Sequence, residues 1–337
     1  MTFRDREKQR YAGIKHRLFS PAACEPGAYN GRLRDFCLAA GHSAENLFAA
    51  FRDDAIAYFR ERGISWHDGL ATKAGASDLP SNHLCCSQCA CVNSMWPLTR
   101  DAHTLACVFG PFLPGIECVL PIYCDGPLSA DGRRPFMAFE WIGTRNYLCE
   151  VGNRRRGANA TSADFAFRFR RRDGAVQLVL GQWKYTEYYT TKAPSQINQT
   201  QLRVYREAFE HWKAGQPGLP RYEAFFVEPF YQLMRLTLLA QQMERACASE
   251  QGEMGADIVS VVLVVPEANR EYAESFTAPA LREYGNTVPA AWTRIASEKR
   301  LAVIPTESLL ETIDRVAPSN LRPWSDYLML RYGWWQP

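Results

Sequence analysis

Nowhere in the 337 residues do 18 apolar residues run together, and a helix needs about that many to cross a bilayer core. The first ten residues, MTFRDREKQR, are charged and lack the apolar core of a signal peptide. These two absences predict a soluble cytoplasmic chain with no membrane partner, in which the eleven cysteines stay reduced rather than forming a disulfide framework. There is no HExxH and no GxSxG, so the common zinc-hydrolase and serine-hydrolase signatures give no starting point. The scattered histidines His67, His83, His103 and His211 supply no competing site. Neither an internal repeat nor a low-complexity linker is visible, and no helix-turn-helix or zinc finger argues for sequence-specific reading of DNA. A formal net charge of +3 is too small to decide a partner by itself.

What is present is ordinary globular composition, 47% hydrophobic and 22% charged, enough for a sizeable core. Residues 1–42 read as mixed and irregular. From Ser43, apolar residues at helical spacing predict one amphipathic helix ending at Gly63. The cluster HLCCSQCAC, His83 to Cys91, leaves zinc binding and core packing open. Cys86 and Cys89 have ligand spacing, but no second CxxC pair lies at finger distance. Packing is preferred, in a helix with Cys85, Cys89 and Val92 on one stripe and Ser81 or Asn82 as cap. A further helix is expected over 100–109. From Pro135 the period changes to that of strands: FMAFEWIG, then DFAFRFRRR, then AVQLVLGQWKY after the turn pair Asp173-Gly174, together a β-meander. Helices over about 196–213 and 229–247, a doubly buried strand at DIVSVVLVV, a short strand at LAVIP and two terminal helices complete an α/β order. Trp334 and Trp335 are read as packing the last helix rather than as base-stacking surfaces.

Alternation in ADFAFRFRRR sends Phe165, Phe167 and Phe169 to one face and Asp164, Ala166, Arg168 and Arg170 to the other. Gln182 and Lys184 share a face of the next strand, and a hairpin at Asp173-Gly174 brings Asp164 close to both. An aspartate, a side-chain oxygen and a lysine at strand ends are the parts of a Mg²⁺-dependent phosphodiesterase site. A surface ion pair between Asp164 and Lys184 is the alternative at this point.

The strings RRRGANATSADFAF and LGQWKYTEYY resemble bacterial PD-(D/E)XK nuclease-like proteins of restriction-endonuclease-like type. YLCEVGNRRRGAN and HLCCSQCACVNSMWPL extend the resemblance over about residues 81–265. It implies an α/β fold with a restriction-endonuclease-like core, a mixed central sheet flanked by helices, and helical additions at both termini. Residues 1–80 would be an N-terminal helical extension and 81–337 the nuclease-like domain, together one compact unit. By the same resemblance Asp164 is the metal-binding aspartate, Lys184 the motif lysine, and Glu150 an additional carboxylate. Gln182 stands where the family usually has glutamate. Metal ligands would be Asp164, Gln182 and Glu150, holding Mg²⁺ or Mn²⁺, with Glu187, Gln201 and Tyr205 in support. Arg154, Arg155 and Arg156, and Arg168, Arg170, Arg171 and Arg172, would contact phosphates. The implied activity is DNA endonuclease, with nucleic acid as partner and a homodimer compatible. Gln182 leaves open a catalytically weakened nucleic-acid-binding module, and a shared fold with no nucleic-acid role stands as a third reading.

Overall fold

Residues expected to be irregular form the first helix, α1 (Phe3–Leu18), in a computed structural model that describes residues 1–67, 78–126, 132–189, 199–216, 218–247, 252–276, 278–297 and 300–336. Thr2 caps it, its hydroxyl accepting from the Asp5 N–H at 3.1 Å. The buried stripe is Phe3, Glu7, Tyr11 and Lys15, four residues apart. Two of its members are charged, so an apolar count misses the helix. Glu7 accepts from the Tyr185 hydroxyl, and Lys15 donates to the Cys37 carbonyl at 2.6 Å.

A short antiparallel ribbon follows, β1 (Gly27–Tyr29) and β2 (Arg32–Arg34). The helix expected from Ser43 is broken: a 3₁₀ turn covers Ser43–Asn46 and α2 only begins at Arg52, running to Glu61. Tertiary hydrogen bonds explain the break. The Asn46 carbonyl accepts from Asn93 at 2.9 Å and Arg331 at 2.7 Å, and the Phe48 N–H donates to Asn93 at 2.9 Å. Of the Gly/Ser/Asp stretch that follows, residues 68–77 lie outside the described residues.

The cysteine helix α3 (Ser87–Met95) starts later than expected and has no side-chain cap. Ser81 and Asn82 are otherwise engaged, Ser81 accepting from the His83 N–H and Asn82 donating to the Ala28 and Leu38 carbonyls. Cys85, Cys86, Cys89 and Cys91 are buried free thiols. Among the described residues no group of three His, Cys, Asp or Glu side chains is placed to hold a metal, so the zinc alternative gains no third ligand. Helix α4 (Ala102–Phe109) follows, capped by Asp101.

Strand β3 (Ile116–Leu120), unread in the sequence, precedes β4 (Met137–Trp141), β5 (Ala163–Arg171) and β6 (Val176–Trp183). Helices α5 (Gln199–Gly215) and α6 (Phe230–Cys247) lead to β7 (Ile258–Val265). Then come α7 (Arg270–Ala273), α8 (Val288–Ala296), β8 (Leu301–Pro305), α9 (Thr306–Val316) and α10 (Arg322–Tyr332). The sheet order is β3-β5-β6-β7-β8, with β4 pairing the first half of β5 beside β3. The meander is antiparallel, and β6, β7 and β8 run parallel. This is the mixed sheet flanked by helices that the resemblance implies.

Phe165, Phe167 and Phe169 lie in one core with residues of α3, α4, α9 and α10, while Ala166, Leu178 and Leu180 face a second core with α5, α6 and α8. Both faces are therefore covered, and the face carrying Asp164 is not a solvated sheet surface. Arg168, on that face, is buried and donates to the Pro121 carbonyl at 3.0 Å and to the Met254 carbonyl. No helix among the described residues is long and apolar enough to cross a membrane.

Candidate active site

The β5–β6 pairing sets Phe165 opposite Gly181. A Cβ on Gly181 would lie 2.2 Å from the Phe165 ring, so only glycine lets the two strands close here. One step outward, Gln182 Nε2 donates to Asp164 Oδ2 at 2.6 Å, and the Trp183 N–H donates to the same oxygen at 2.5 Å. Lys184 leaves the strand with its N–H on the Val264 carbonyl (2.8 Å) and its Nζ on Gln232 Oε1 of α6 (2.7 Å). Asp164, Gln182 and Lys184 line one cavity of about 680 Å³ at this end of the sheet, in the size range of small-molecule sites.

A second carboxylate stands beside Asp164, and sequence reasoning missed it. Phe139 pairs Phe165 and Trp141 pairs Ala163, which puts Glu140 across from Asp164. Glu140 has φ +48° inside a strand, a costly conformation for a non-glycine residue. Arg156 holds it there, Nε donating to the carbonyls of Phe139 (2.9 Å) and Glu140 (3.3 Å). The Glu140 carboxylate accepts from Gln88 Nε2 at 3.0 Å and from the Ser162 hydroxyl at 2.8 Å. Its only signal in the sequence was a charge within an apolar strand, FMAFEWIG.

Burial, reinforced by Glu140, pushes the Asp164 carboxyl up to about 7 despite the opposing pull of Lys184 and the Trp183 N–H. Burial likewise raises Glu140, with Ser162, Gln88, Arg156 and Lys184 working against it. Burial alone would lower Lys184, but neighbours including Tyr189, Glu187 and Asp164 outweigh it and hold the ammonium charged. Two adjacent acids whose repulsion is not fully relieved, and which offer hard oxygens together with the Gln182 amide, fit Mg²⁺ or Mn²⁺.

The other named residues divide by position. Glu150 lines the cavity, but its oxygens accept from the Thr161 N–H and hydroxyl (2.6–3.0 Å) and from the Tyr205 hydroxyl (2.8 Å). Gln201 of α5 and Glu187 also line it, and Glu187 accepts from the Tyr185 N–H at 2.6 Å. Ser87 and Gln88 of α3 face this cavity, whereas His83 faces a neighbouring one.

The arginines are dispersed. Arg154 donates to the Ile142 carbonyl at 2.8 Å, Arg156 pairs with Asp125, and Arg155 is exposed. Arg170, Arg171 and Arg172 sit at the hairpin end of β5, about 20 Å from Asp164 at roughly 3.3 Å per strand residue. Arg171 is engaged by Asp173 and Gln177. The run of basic residues near the motif in sequence is thus not a basic wall of the site. The cation that sequence reasoning passed over is Arg235 of α6, which lines the cavity with its guanidinium 4.7 Å from the Tyr231 ring centre. Its Nε is buried with no hydrogen-bond partner among the described residues, and the guanidinium is hydrogen-bonded with Tyr205.

No curated protein and no solved structure matches the chain. A family model does, over residues 8–333, which takes in the meander, the cavity and the helices that close it. With that match and this mixed α/β core, the chain belongs to the family described as Restriction Endonuclease associating with ARP.

Proposed function

We propose that the chain is a metal-dependent nuclease of PD-(D/E)XK type that hydrolyses phosphodiester bonds, with DNA as substrate. One observation carries this reading: Glu140 and Asp164 stand across from each other at strand ends, with Lys184 in the same cavity. Glu140, Asp164 and the Gln182 oxygen would hold the cation. Bound Mg²⁺ or Mn²⁺ would supply Lewis-acid polarisation of the phosphate and ease ionisation of the attacking water. Lys184, anchored by Gln232, places a fixed positive charge where negative charge develops on the phosphate. Arg235, in the lining of the same cavity, adds a second positive charge facing the phosphate. Glu150, gripped by Thr161 and Tyr205, braces the loop that leads into β5.

Glu140 also gives Gln182 a physical rationale. A glutamate at 182 would set a third carboxylate against two that already repel each other. The glutamine keeps an oxygen donor and donates a hydrogen bond to Asp164.

Incubation of purified protein with plasmid, single-stranded DNA and RNA, with and without Mg²⁺ or Mn²⁺, tests the reading. Metal-dependent DNA cleavage is expected, abolished by EDTA and by Lys184→Ala, with DNA binding retained in that variant. Cleavage that continues in EDTA would sink it.

Gln182→Glu gives a separate expected outcome. Cleavage should drop by about tenfold or more, and the metal-free protein should melt lower at pH 8, because the new carboxylate is buried beside like charge. An increase in activity would instead identify a decayed site that the change repairs.

A further inference from the structure

Beside the acid-rich cavity lies a second one of about 710 Å³, and the two share His67, Ser87, Gln88 and Glu187 in their linings. Its other wall comes from the N-terminal segment: Arg4 and Lys8 of α1, Tyr29 and Arg34 of the β1–β2 ribbon, and Phe36. Tyr29, Phe36 and His83 form an aromatic cluster, with Tyr29–His83 centroids 4.5 Å apart and Phe36–His83 centroids 5.1 Å apart. Lys8 Nζ lies 5.0 Å from the centre of the Phe36 ring. Arg34 Nε is buried without a hydrogen-bond partner among the described residues. Asp5, an acid on this wall, is engaged by the Thr2 hydroxyl at 2.8 Å. Burial, with Lys8 and Arg4 nearby, lowers His83 to about 3, so its ring is neutral and sits in a positive local field.

The ribbon is held in place. A Cβ on Gly27 would lie 1.9 Å from the Leu38 carbonyl oxygen, and Asn82 bridges Ala28 and Leu38. The chamber is therefore pre-formed, with aromatic faces and cations side by side. That combination suits one unstacked nucleotide, whose base has an apolar face and whose phosphate is anionic. A volume within the range of small-molecule sites, about 300–1,000 Å³, takes a single nucleotide and not a duplex.

Building on the nuclease reading, we propose that this second cavity is a nucleotide subsite: it receives one extruded nucleotide of the DNA strand next to the scissile phosphate. The base packs against Tyr29, Phe36 and His83, and the phosphate is held by Lys8 and Arg34. The wall shared through Ser87 and Gln88 then makes the two cavities one path for a single strand. The substrate class is DNA with a locally unpaired or readily unpaired nucleotide, since extrusion costs least there.

The test is binding of a short labelled single-stranded DNA to the full chain in EDTA, with cleavage of plasmid in Mg²⁺ followed in parallel. Tyr29→Leu, which removes the ring face, and Lys8→Gln combined with Arg34→Gln should each weaken binding by roughly fivefold or more. The double charge variant should also flatten the salt dependence by about two phosphate contacts. Tyr29→Phe should bind as the wild type does, and unchanged melting temperatures show that the variants fold. Deoxynucleoside monophosphate should compete with the labelled strand on the wild type and less well on Tyr29→Leu. Binding and competition unchanged in both Tyr29→Leu and the double variant would overturn the subsite while metal-dependent cleavage still stands. Loss of cleavage chemistry is read separately at Lys184.

Discussion

Asp164→Asn should remove cleavage and at the same time make the metal-free protein more stable at pH 8. The Asp164 carboxyl titrates near 7 in the fold, pushed up by burial and Glu140, against a usual value of 3.8. A carboxyl raised by folding binds its proton more tightly in the native state, so it costs nothing below about pH 4. The cost builds between about pH 4 and 7, where the unfolded chain has ionised and the folded one still holds its proton, and is complete once the folded protein carries the charge. At about 1.4 kcal/mol per pKa unit the penalty at pH 8 is on the order of 4 kcal/mol, and asparagine, nearly isosteric and neutral, relieves it. Thermal melting of metal-free wild type and variant from pH 4 to 8 checks this: the curves should coincide at the acid end, diverge steadily above about pH 4 and be fully separated above pH 7. Added Mg²⁺ should raise the wild-type melting temperature at pH 8 by binding only the folded state, and should leave the variant unmoved. A variant that melts below the wild type at pH 8 would show that Asp164 is held by its hydrogen bonds and not strained by its charge.

Glu140→Gln should cost roughly a thousandfold in cleavage rate, on the scale of losing a group that stabilises the reacting centre directly, whereas Glu150→Gln should cost about 10- to 100-fold, as for a residue that orients others. The ranking follows from what each carboxylate touches. Glu140 faces Asp164 across the strand pair and accepts from Gln88 and Ser162, leaving lone pairs turned to the cavity. The hydrogen bonds of Glu150 go to Thr161 and Tyr205. Tyr205→Phe should reproduce part of the Glu150→Gln loss and none of the Glu140→Gln loss. Initial rates of plasmid cleavage at matched Mg²⁺ measure all three, and a titration of rate against Mg²⁺ separates weaker cation binding from slower chemistry. An equal loss in Glu140→Gln and Glu150→Gln would return Glu150 to the metal and undo the assignment.

Local pattern by itself determined the hairpin and the motif pair. Alternation in DFAFRFRRR and the Asp173-Gly174 turn leave one register in which the phenylalanines are buried, and that register delivers Asp164 to Gln182 as a matter of counting. The family resemblance, and not local pattern, pointed to Tyr205, which lines the cavity and donates to Glu150. Tertiary structure alone decided the rest, wherever a side chain's role depends on a partner far along the chain. Helix α1 was hidden because Glu7 and Lys15 take core positions: Arg10 pairs with Glu7 within the helix, but the Tyr185 hydroxyl and the Cys37 carbonyl that complete their hydrogen bonding come from far along the chain. The expected helix from Ser43 broke because Asn93 and Arg331 claim its backbone groups. The arginines are a phosphate-binding set only by adjacency in sequence: β5 spreads Asp164 and Arg170 to opposite ends, and Arg156, ahead of β5, is turned inward onto the carbonyls of β4 and Asp125. Glu140 itself, an unremarked charge in an apolar strand, became the second acid of the site only when β4 was laid against β5. Period-2 alternation tells which face a residue takes on its own strand; which residue it meets is fixed by strand pairing, and pairing is settled by the packing of the whole sheet.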